Sequence, residues 1–571
     1  MADGLREIVA HYAQYGWFLA IWGVPLAALT VAGVASSTRS TDAPSRGHER
    51  RAVLGAFPTL ALIALTAFLG VYAYALMAHE DLVGIDYAQL TAKRFVGMMI
   101  WPESGRFFPL GLQEYNLLSL VTKTAWFYHA FSVMELAVLL ICVFRLLDEL
   151  PIWLRCVTAV SLLVVPAVQL SFFGLVFPER DLIVWLAVWL VCVQSFSRTT
   201  SRSAWYAALI VTQCVLYYKE TAFTIVGGFA GLRLVAGAWN DREALRRGEL
   251  GPTIARHSLE IAMLGLCGVF LAIYAAAIRP HVTASYVAAR PTGSSATALA
   301  GYLRSDLILD ALLIAFGLRM IAIARAKTAF HPLWDSAAAG AIAYALAFIK
   351  LGIVREYYLA PADFLAALYL GYVGYDALRA QPRLTIAGAL IAVALLFQSN
   401  LRDDAYVVLI RKQLVAANVR LAEFLTGYSR AHGARELPLF FAQPGGFQLM
   451  ELSSFLQYKG LRAEATTGDS ASAGFAVLSA HRYPDARCHP SQAFRCEYAS
   501  APRAGDLVIL LPGHAVSPAE LASLRAHGRE LMHFTPQPAI LERALAALVP
   551  NDRLADLTFT EYVFEYGPPN D

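Results

Sequence analysis

The sequence predicts a polytopic, all-α membrane bundle of about twelve transmembrane helices followed by a soluble α/β domain. Composition is the first reason. Of 571 residues, 57% are hydrophobic and 16% charged, against roughly 45–50% and ~25% in soluble domains. The mean hydropathy of +0.51 agrees. The second reason is a series of apolar runs long enough to cross a bilayer, and the third is a change of composition after Ser399, where strand-like and helix-like segments alternate. A wholly soluble enzyme is excluded, and so is a disordered or collagen-like chain. The net charge of +3, from 46 Lys and Arg against 43 Asp and Glu, gives no reason to expect a nucleic-acid partner.

In chain order, the predicted spans are 16–35, 53–77, 126–147, 156–177, 181–197, 258–278, 305–324, 335–351, 359–378 and 383–398. Each run approaches the length needed for a ~30 Å hydrocarbon core. The stretch from Trp205 to Trp239 is apolar but interrupted by Lys219, Glu220 and Thr221. It reads as two abbreviated helices meeting at a polar turn. The run at 16–35 reads as a span and not a cleavable signal, because it lacks a basic leader and a small-residue cleavage site.

Sidedness follows from the short loops. Arg39, Arg46, Arg50 and Arg51 lie in loop 36–52, and Arg242, Arg246, Arg247 and Arg256 in loop 239–257. Positive residues favour the cytoplasmic side. Loops 78–125, 178–181, 218–221, 279–304 and 352–358 then face outward, and an even number of spans places the C-terminal part outside as well. Cys488 and Cys496, isolated in the polar stretch CHPSQAFRC, predict a loop-closing disulfide and an oxidising compartment. A metal pair is the alternative, but no CxxC or second ligand pair accompanies them. The other five cysteines fall in apolar runs, where Cys behaves as a small hydrophobe.

Beyond Ser399, residues 405–432 read as a helix, 437–443 as a strand, the segment from Gly445 to Gly460 as a helix and 506–513 as a strand. A helix over 517–528 follows, opened by Ser517, Pro518 and Glu520. Strand-like ELMHFTP and LTFTEYVFEYG complete an α/β pattern. The boundary is placed between 398 and 399: a membrane domain over 1–398 and an outer domain over 399–571.

Polar residues concentrate in the outward loops. Loop 78–125 carries Glu80, Asp81 and Asp86 just after a span, then Arg106 among aromatics in Gly105-Arg106-Phe107-Phe108-Pro109-Leu110-Gly111. Phe177-Pro178-Glu179-Arg180-Asp181 forms nearly a whole connection, Lys219-Glu220-Thr221 breaks an apolar stretch, and Arg355-Glu356-Tyr357-Tyr358 precedes a span. Taken singly, each is equally a snorkelling side chain or a structural ion pair. Together, on one side of a membrane, they outline a polar site. Such a site suits the joining of a lipid-borne phosphate compound to a water-side acceptor. Cations would neutralise a phosphate leaving group, and a carboxylate would take the proton of an incoming hydroxyl. The sequence has no Walker P-loop, no HExxH and no GxSxG elbow, and no GxGxxG between a strand and a helix.

In order and sidedness these motifs resemble the GT-C superfamily of integral-membrane glycosyltransferases, particularly the bacterial branch related to protein O-mannosyltransferases and aminoarabinose transferases. Ile85-Asp86-Tyr87 is similar to the acidic motif of the first long outward loop in that family, and Glu179 to its second acidic motif. Lys219-Glu220-Thr221 is similar to a "KET" element, and the segment from Arg355 to Pro361 to an "R-Y-x-x-P" element before a late span. The resemblance covers residues 53–398. It implies a polyprenyl-phosphate sugar as donor, a periplasmic glycan, lipid or protein as acceptor, and inversion at the sugar carbon.

By the same resemblance, Asp86 would be the base. The paired acid of the family is single here, with Ile85 in its first position, so Asp81 and Glu80 stay as alternatives. Glu179 would shape the acceptor site, and Lys219 and Arg355 would bind the donor phosphate with Arg106, Tyr358 and Tyr87 in support. Glu220 would either touch substrate or pair with Lys219. Loop 279–304, with Tyr286 and Arg290, would close over the donor or serve only as a connector. No metal ligand set is assigned. Family members differ in metal use, so a divalent metal stays open, with His79 as one conceivable ligand. The implied location is the bacterial inner membrane, with the site and the C-terminal domain facing the periplasm. The competing readings are a transferase or polymerase of whole oligosaccharides, a transporter or flippase of lipid-linked sugars, and a non-catalytic scaffold.

Overall fold

The structure is a computed structural model. It describes residues 97–122, 125–175, 177–248, 250–283, 294–380, 416–432, 437–441, 475–479, 494–511, 516–537, 540–547 and 560–567, with scattered positions up to 69 and at 413–414. A short hairpin opens the described part, β1 (Met99–Trp101) and β2 (Arg106–Phe108), followed by helix α1 (Glu114–Leu118). The membrane helices are α2 (Ala125–Leu146), α3 (Ile152–Leu163), α4 (Pro166–Phe173), α5 (Glu179–Thr199), α6 (Arg202–Tyr218) and α7 (Ala222–Asn240). Two short helices, α8 (Arg242–Arg246) and α9 (Leu250–Arg256), lead to α10 (Ser258–Ile273), α11 (Ser295–Ser305), α12 (Leu307–Ala324), α13 (Trp334–Leu351) and α14 (Ala360–Ala380).

Five helices among the described residues are long and apolar enough to cross a membrane: Phe127–Leu146, Glu179–Thr199, Ala222–Asn240, Ser258–His281 and Leu307–Ala324. The predicted runs at 16–35, 53–77 and 383–398 lie largely or wholly outside the described residues. The expected span over 156–177 carries a break. It is a bent pair, α3 and α4, meeting at 68°. Pro166 stands at the first turn of α4, where its missing N–H costs nothing; within a continuous helix it would remove a hydrogen bond and clash with the preceding turn. The interrupted stretch over 205–239 is two helices, α6 and α7, joined at Lys219–Thr221.

One apolar core runs through the bundle, with Phe172, Leu186, Trp189, Val215, Phe229, Leu312, Tyr344 and Leu368 at or near zero exposure. Trp189 donates its indole N–H to Thr212 Oγ1 at 2.9 Å, so its one polar atom is satisfied inside.

The C-terminal part is a six-stranded sheet. Its strands are β3 (Pro438–Phe441), β4 (Phe475–Ser479), β5 (Phe494–Tyr498), β6 (Leu507–Leu510), β7 (Gly528–Phe534) and β8 (Glu561–Tyr566), in the order β5-β4-β3-β6-β8-β7. The first four are parallel, and β8 and β7 add antiparallel. A helix over 416–432 packs Leu421 and Leu425 on Leu439, Ile509 and Val563. The helix Pro518–His527 lies on the other face beside Val508 and Phe564, and Ser517 caps it by accepting from Glu520 N at 3.0 Å. The strands at 475–479 and 494–498 were not legible in the sequence, because FAVLS is short and FRCEY carries two charges. Cys496 lies in β5, while Cys488 and the predicted disulfide fall outside the described residues.

Glu561 in this sheet is fully buried, and no described group donates to either carboxylate oxygen. Burial pushes its carboxyl well above the ordinary glutamate range. The folded state therefore prefers the neutral acid, and its stability falls as pH rises above the unfolded value of about 4.3. Glu561→Gln is expected to raise the melting temperature at pH 7, with the gain vanishing below about pH 4. Thermal unfolding of both proteins between pH 4 and 8 checks this; equal melting at pH 7 would contradict it.

Candidate functional site

The described part of the site begins at the β1–β2 hairpin. The chain turns at Gly105, whose φ of +74° lies where a side chain would be strained. The turn is fastened by Tyr274, which donates its hydroxyl to Gly105 O at 2.9 Å, and by Thr283 N, which donates to Glu103 O at 3.1 Å. Just beyond β2, Leu110 N donates to Tyr217 O at 3.1 Å, so the hairpin is pinned onto the end of α6. These contacts bring Arg106 and Phe108 to the break between α6 and α7.

Lys219 occupies that break in an extended conformation, with φ −153° and ψ 133°. It is 3% exposed, and its Nζ lies 2.7 Å from Glu179 Oε1, itself fully buried in the first turn of α5. The ammonium also sits over two aromatic faces, 5.3 Å from the ring centre of Phe108 and 4.7 Å from that of Tyr358. Such cation–π contacts strengthen when desolvated. Tyr358 is held in turn by stacking on Phe348 at 5.0 Å.

Arg106 makes the second pair. Its Nε lies 2.6 Å from Glu220 Oε1, and its guanidinium packs on Phe108 at 4.6 Å. The sequence left Glu220 either touching substrate or pairing with Lys219; the structure pairs Glu220 with Arg106 and Lys219 with Glu179. The alternation is local geometry. Lys219 ends α6 and points into the bundle, and Glu220 points toward the hairpin. The four groups carry no net charge. Arg355 stands exposed in the turn that carries Tyr358 and follows Gly352, whose φ of +68° ends α13. Tyr357 in that turn stacks on Phe177 at 4.2 Å, which links it to the segment before Glu179.

The structure thus brings together Glu179, Lys219, Glu220, Arg106 and Tyr358. Glu80, Asp81, Asp86, Tyr87 and His79 lie outside the described residues, as do Tyr286 and Arg290. Among the described residues no group of three or more His, Cys, Asp or Glu is arranged to hold a metal ion.

A second polar cluster lies under the same hairpin, and sequence reasoning missed it. Arg180 has no exposure, yet faces three carboxylates. Its Nε lies 2.6 Å from Glu135 Oε2, and Nη2 lies 3.1 Å from Glu114 Oε1 and 3.2 Å from Asp181 Oδ1. Nη1 donates to Ser132 Oγ at 3.0 Å. One cation therefore joins α1, α2 and α5. Tyr115, whose ring faces Arg180 at 5.9 Å, donates its hydroxyl to Leu175 O. The signal in the sequence was Glu135, a deep acid in an apolar run, which requires a buried partner.

No protein-family model matches the chain, and no curated protein matches it. Among solved structures, the chain is similar to the crystal structure of ArnT from Cupriavidus metallidurans bound to undecaprenyl phosphate, with 13% sequence identity and a TM-score of 0.44 over 89% of this chain and 98% of that one.

Proposed function

We propose that this protein is a membrane-embedded glycosyltransferase that moves a sugar from a polyprenyl-phosphate donor to a hydroxyl-bearing acceptor on the periplasmic side, with inversion. The observation that carries this reading is the buried Lys219 ammonium, held between Phe108, Tyr358 and Glu179 beside the Arg106–Glu220 pair. Buried ionisable groups in a membrane protein are costly and mark substrate paths. Here two cations, Lys219 and Arg106, pack on the same Phe108 ring, and a third, Arg355, is exposed in the turn that carries Tyr358.

In this reading Lys219 and Arg355 neutralise the phosphate as the glycosidic C–O bond breaks, so that polyprenyl phosphate leaves as a stabilised anion. Arg106 and Tyr358 hold that end of the pocket. Asp86, with Asp81 and Glu80 as alternatives, takes the acceptor proton. Glu179 sets the position of Lys219. The two domains divide near residue 399, and the outer one selects or covers the acceptor.

The test is release of polyprenyl phosphate by purified protein in nanodiscs from a panel of radiolabelled polyprenyl-phosphate sugars, with Asp86→Asn alongside. The wild type is expected to release the lipid phosphate, and Asp86→Asn is expected to lose that activity by about 10²–10⁴-fold, the range for a removed general base. Full activity in Asp86→Asn would move the base to Asp81 or Glu80. No release from any donor with crude periplasmic acceptors present would overturn the transferase.

A further inference from the structure

The hairpin that carries Arg106 and Phe108 is held from a third side, by a residue that the proposed chemistry does not use. Tyr12 precedes the predicted span over 16–35 and packs against the core of the bundle. Its hydroxyl donates to Gln113 Oε1 at 2.6 Å and accepts from Asn116 Nδ2 at 2.8 Å. Asn116 Nδ2 also donates to Gln113 Oε1 at 3.1 Å, which closes a ring of three side chains. Asn116 has no exposure, and away from water a bond left unmade is costly.

Gln113 turns this ring into a grip on the hairpin. Its Nε2 donates to Gly111 O at 3.0 Å and to Gly97 O at 3.2 Å. Those carbonyls stand just after β2 and just before β1, so one amide ties the two ends of the hairpin together. Gly111 N donates to Phe108 O at 2.9 Å, and the backbone lies so near the Phe108 ring that a methyl at Gly111 would come within 2.6 Å of Cδ2. That ring carries the Arg106 guanidinium at 4.6 Å and the Lys219 ammonium at 5.3 Å. A continuous path of contacts thus runs from the Tyr12 hydroxyl through Gln113 and Gly111 to the ring on which both cations rest. The rest of α1 is held separately, Glu114 by Arg180 and Tyr115 by Leu175 O.

We propose that Tyr12 is a positioning residue for the donor site: by fixing the Gln113 side chain, it holds the β1–β2 hairpin where Phe108 and Arg106 meet Lys219. The link to the donor rests on the proposed function. Without the hydroxyl, Gln113 loses its shortest bond, and its hold on Gly97 and Gly111 loosens. The hairpin then spends part of its time with the Phe108 ring and Arg106 away from Lys219. Lipid phosphate meets a complete site for a smaller fraction of the time, so its apparent affinity falls by that fraction. Donor that is bound still reacts in the complete site, so KM rises and kcat changes little.

The experiment compares wild type, Tyr12→Phe, Gln113→Leu and the double variant, as full chains in nanodiscs, by two measurements. Hydrogen–deuterium exchange over residues 97–111 is expected to be faster in Tyr12→Phe, with the rest of the bundle unchanged. Adding Tyr12→Phe to Gln113→Leu is expected to raise it no further, because the two act through one contact. Undecaprenyl phosphate binding is expected to weaken about 3–10-fold in Tyr12→Phe, the worth of one hydrogen bond, again with no added loss in the double variant. Wild-type exchange over 97–111 in Tyr12→Phe, or an equal rise in both backgrounds, overturns the grip. Faster exchange across the whole bundle also overturns it, since Tyr12 would then be a general packing residue. Faster exchange of the hairpin with unchanged binding overturns its link to the donor site. Wild type that binds no undecaprenyl phosphate refutes the proposed donor site instead, and the exchange still decides the grip.

Discussion

Replacing Lys219 with methionine is expected to abolish release of polyprenyl phosphate and also to destabilise the protein by about 3–5 kcal/mol, the range for breaking one side of a buried ion pair. The stability loss follows from burial. Glu179 has no exposure, and the Lys219 ammonium lies 2.7 Å from its Oε1. Removing the cation strands that carboxylate in the bundle. The two effects are separable. Adding Glu179→Gln to Lys219→Met removes the stranded charge and is expected to restore most of the stability. It cannot restore a cation for the leaving phosphate, so turnover stays absent. Thermal unfolding in detergent, together with the release assay, measures both. Turnover that returns with stability in the double variant would show Lys219 to be a packing residue and would remove it from the donor site.

Arg180→Met is expected to have the larger effect on folding. Arg180 is one cation among three carboxylates, bonded to α2 through Glu135 and Ser132, to α1 through Glu114 and to its own helix through Asp181. Methionine fills much of the space but leaves three acids around an uncharged side chain, with no cation to join α1, α2 and α5. The yield of monodisperse protein is expected to collapse. Even Arg180→Lys is expected to be poorly tolerated, because a point charge on a flexible stem cannot serve Nε and both Nη positions at once. Adding Glu135→Gln and Asp181→Asn to Arg180→Met is expected to recover part of the yield, because only one of the three acids that lost their cation is then left, Glu114. Fluorescence-detected size exclusion of the four proteins checks the order, and wild-type behaviour in Arg180→Met would contradict this account of the cluster.

These effects also show what the sequence could and could not display. Apolar run length made the membrane helices legible, because an ~18-residue hydrophobic stretch has few other uses. The polar break at Lys219–Thr221 was legible for the same reason, since charge inside such a stretch is conspicuous. Pro166 was visible but was absorbed into a single span, because hydropathy averages over a window and does not register a bend. The partners of the charges were not legible at all. Lys219 and Glu220 are adjacent in the chain, and adjacency suggested that they pair. The actual partners, Glu179 and Arg106, lie 40 and 114 positions away in sequence, and only the packing of α5 and the hairpin against the α6–α7 break brings them in.

The strand order in the C-terminal sheet has a consequence for how the chain matures. The strand over 561–566 follows every other described strand in sequence, yet it lies between those over 507–510 and 528–534. Until that segment has reached the sheet, two neighbouring strands each present an open row of backbone donors and acceptors, with the apolar places of Val563 and Phe564 empty. Open edges of that kind recruit foreign strands. The interval between synthesis of residue 534 and arrival of residue 561 is therefore the period in which this protein is most open to wrong strand pairing. A translation product that stops inside it would keep both edges open, however well its membrane helices had assembled.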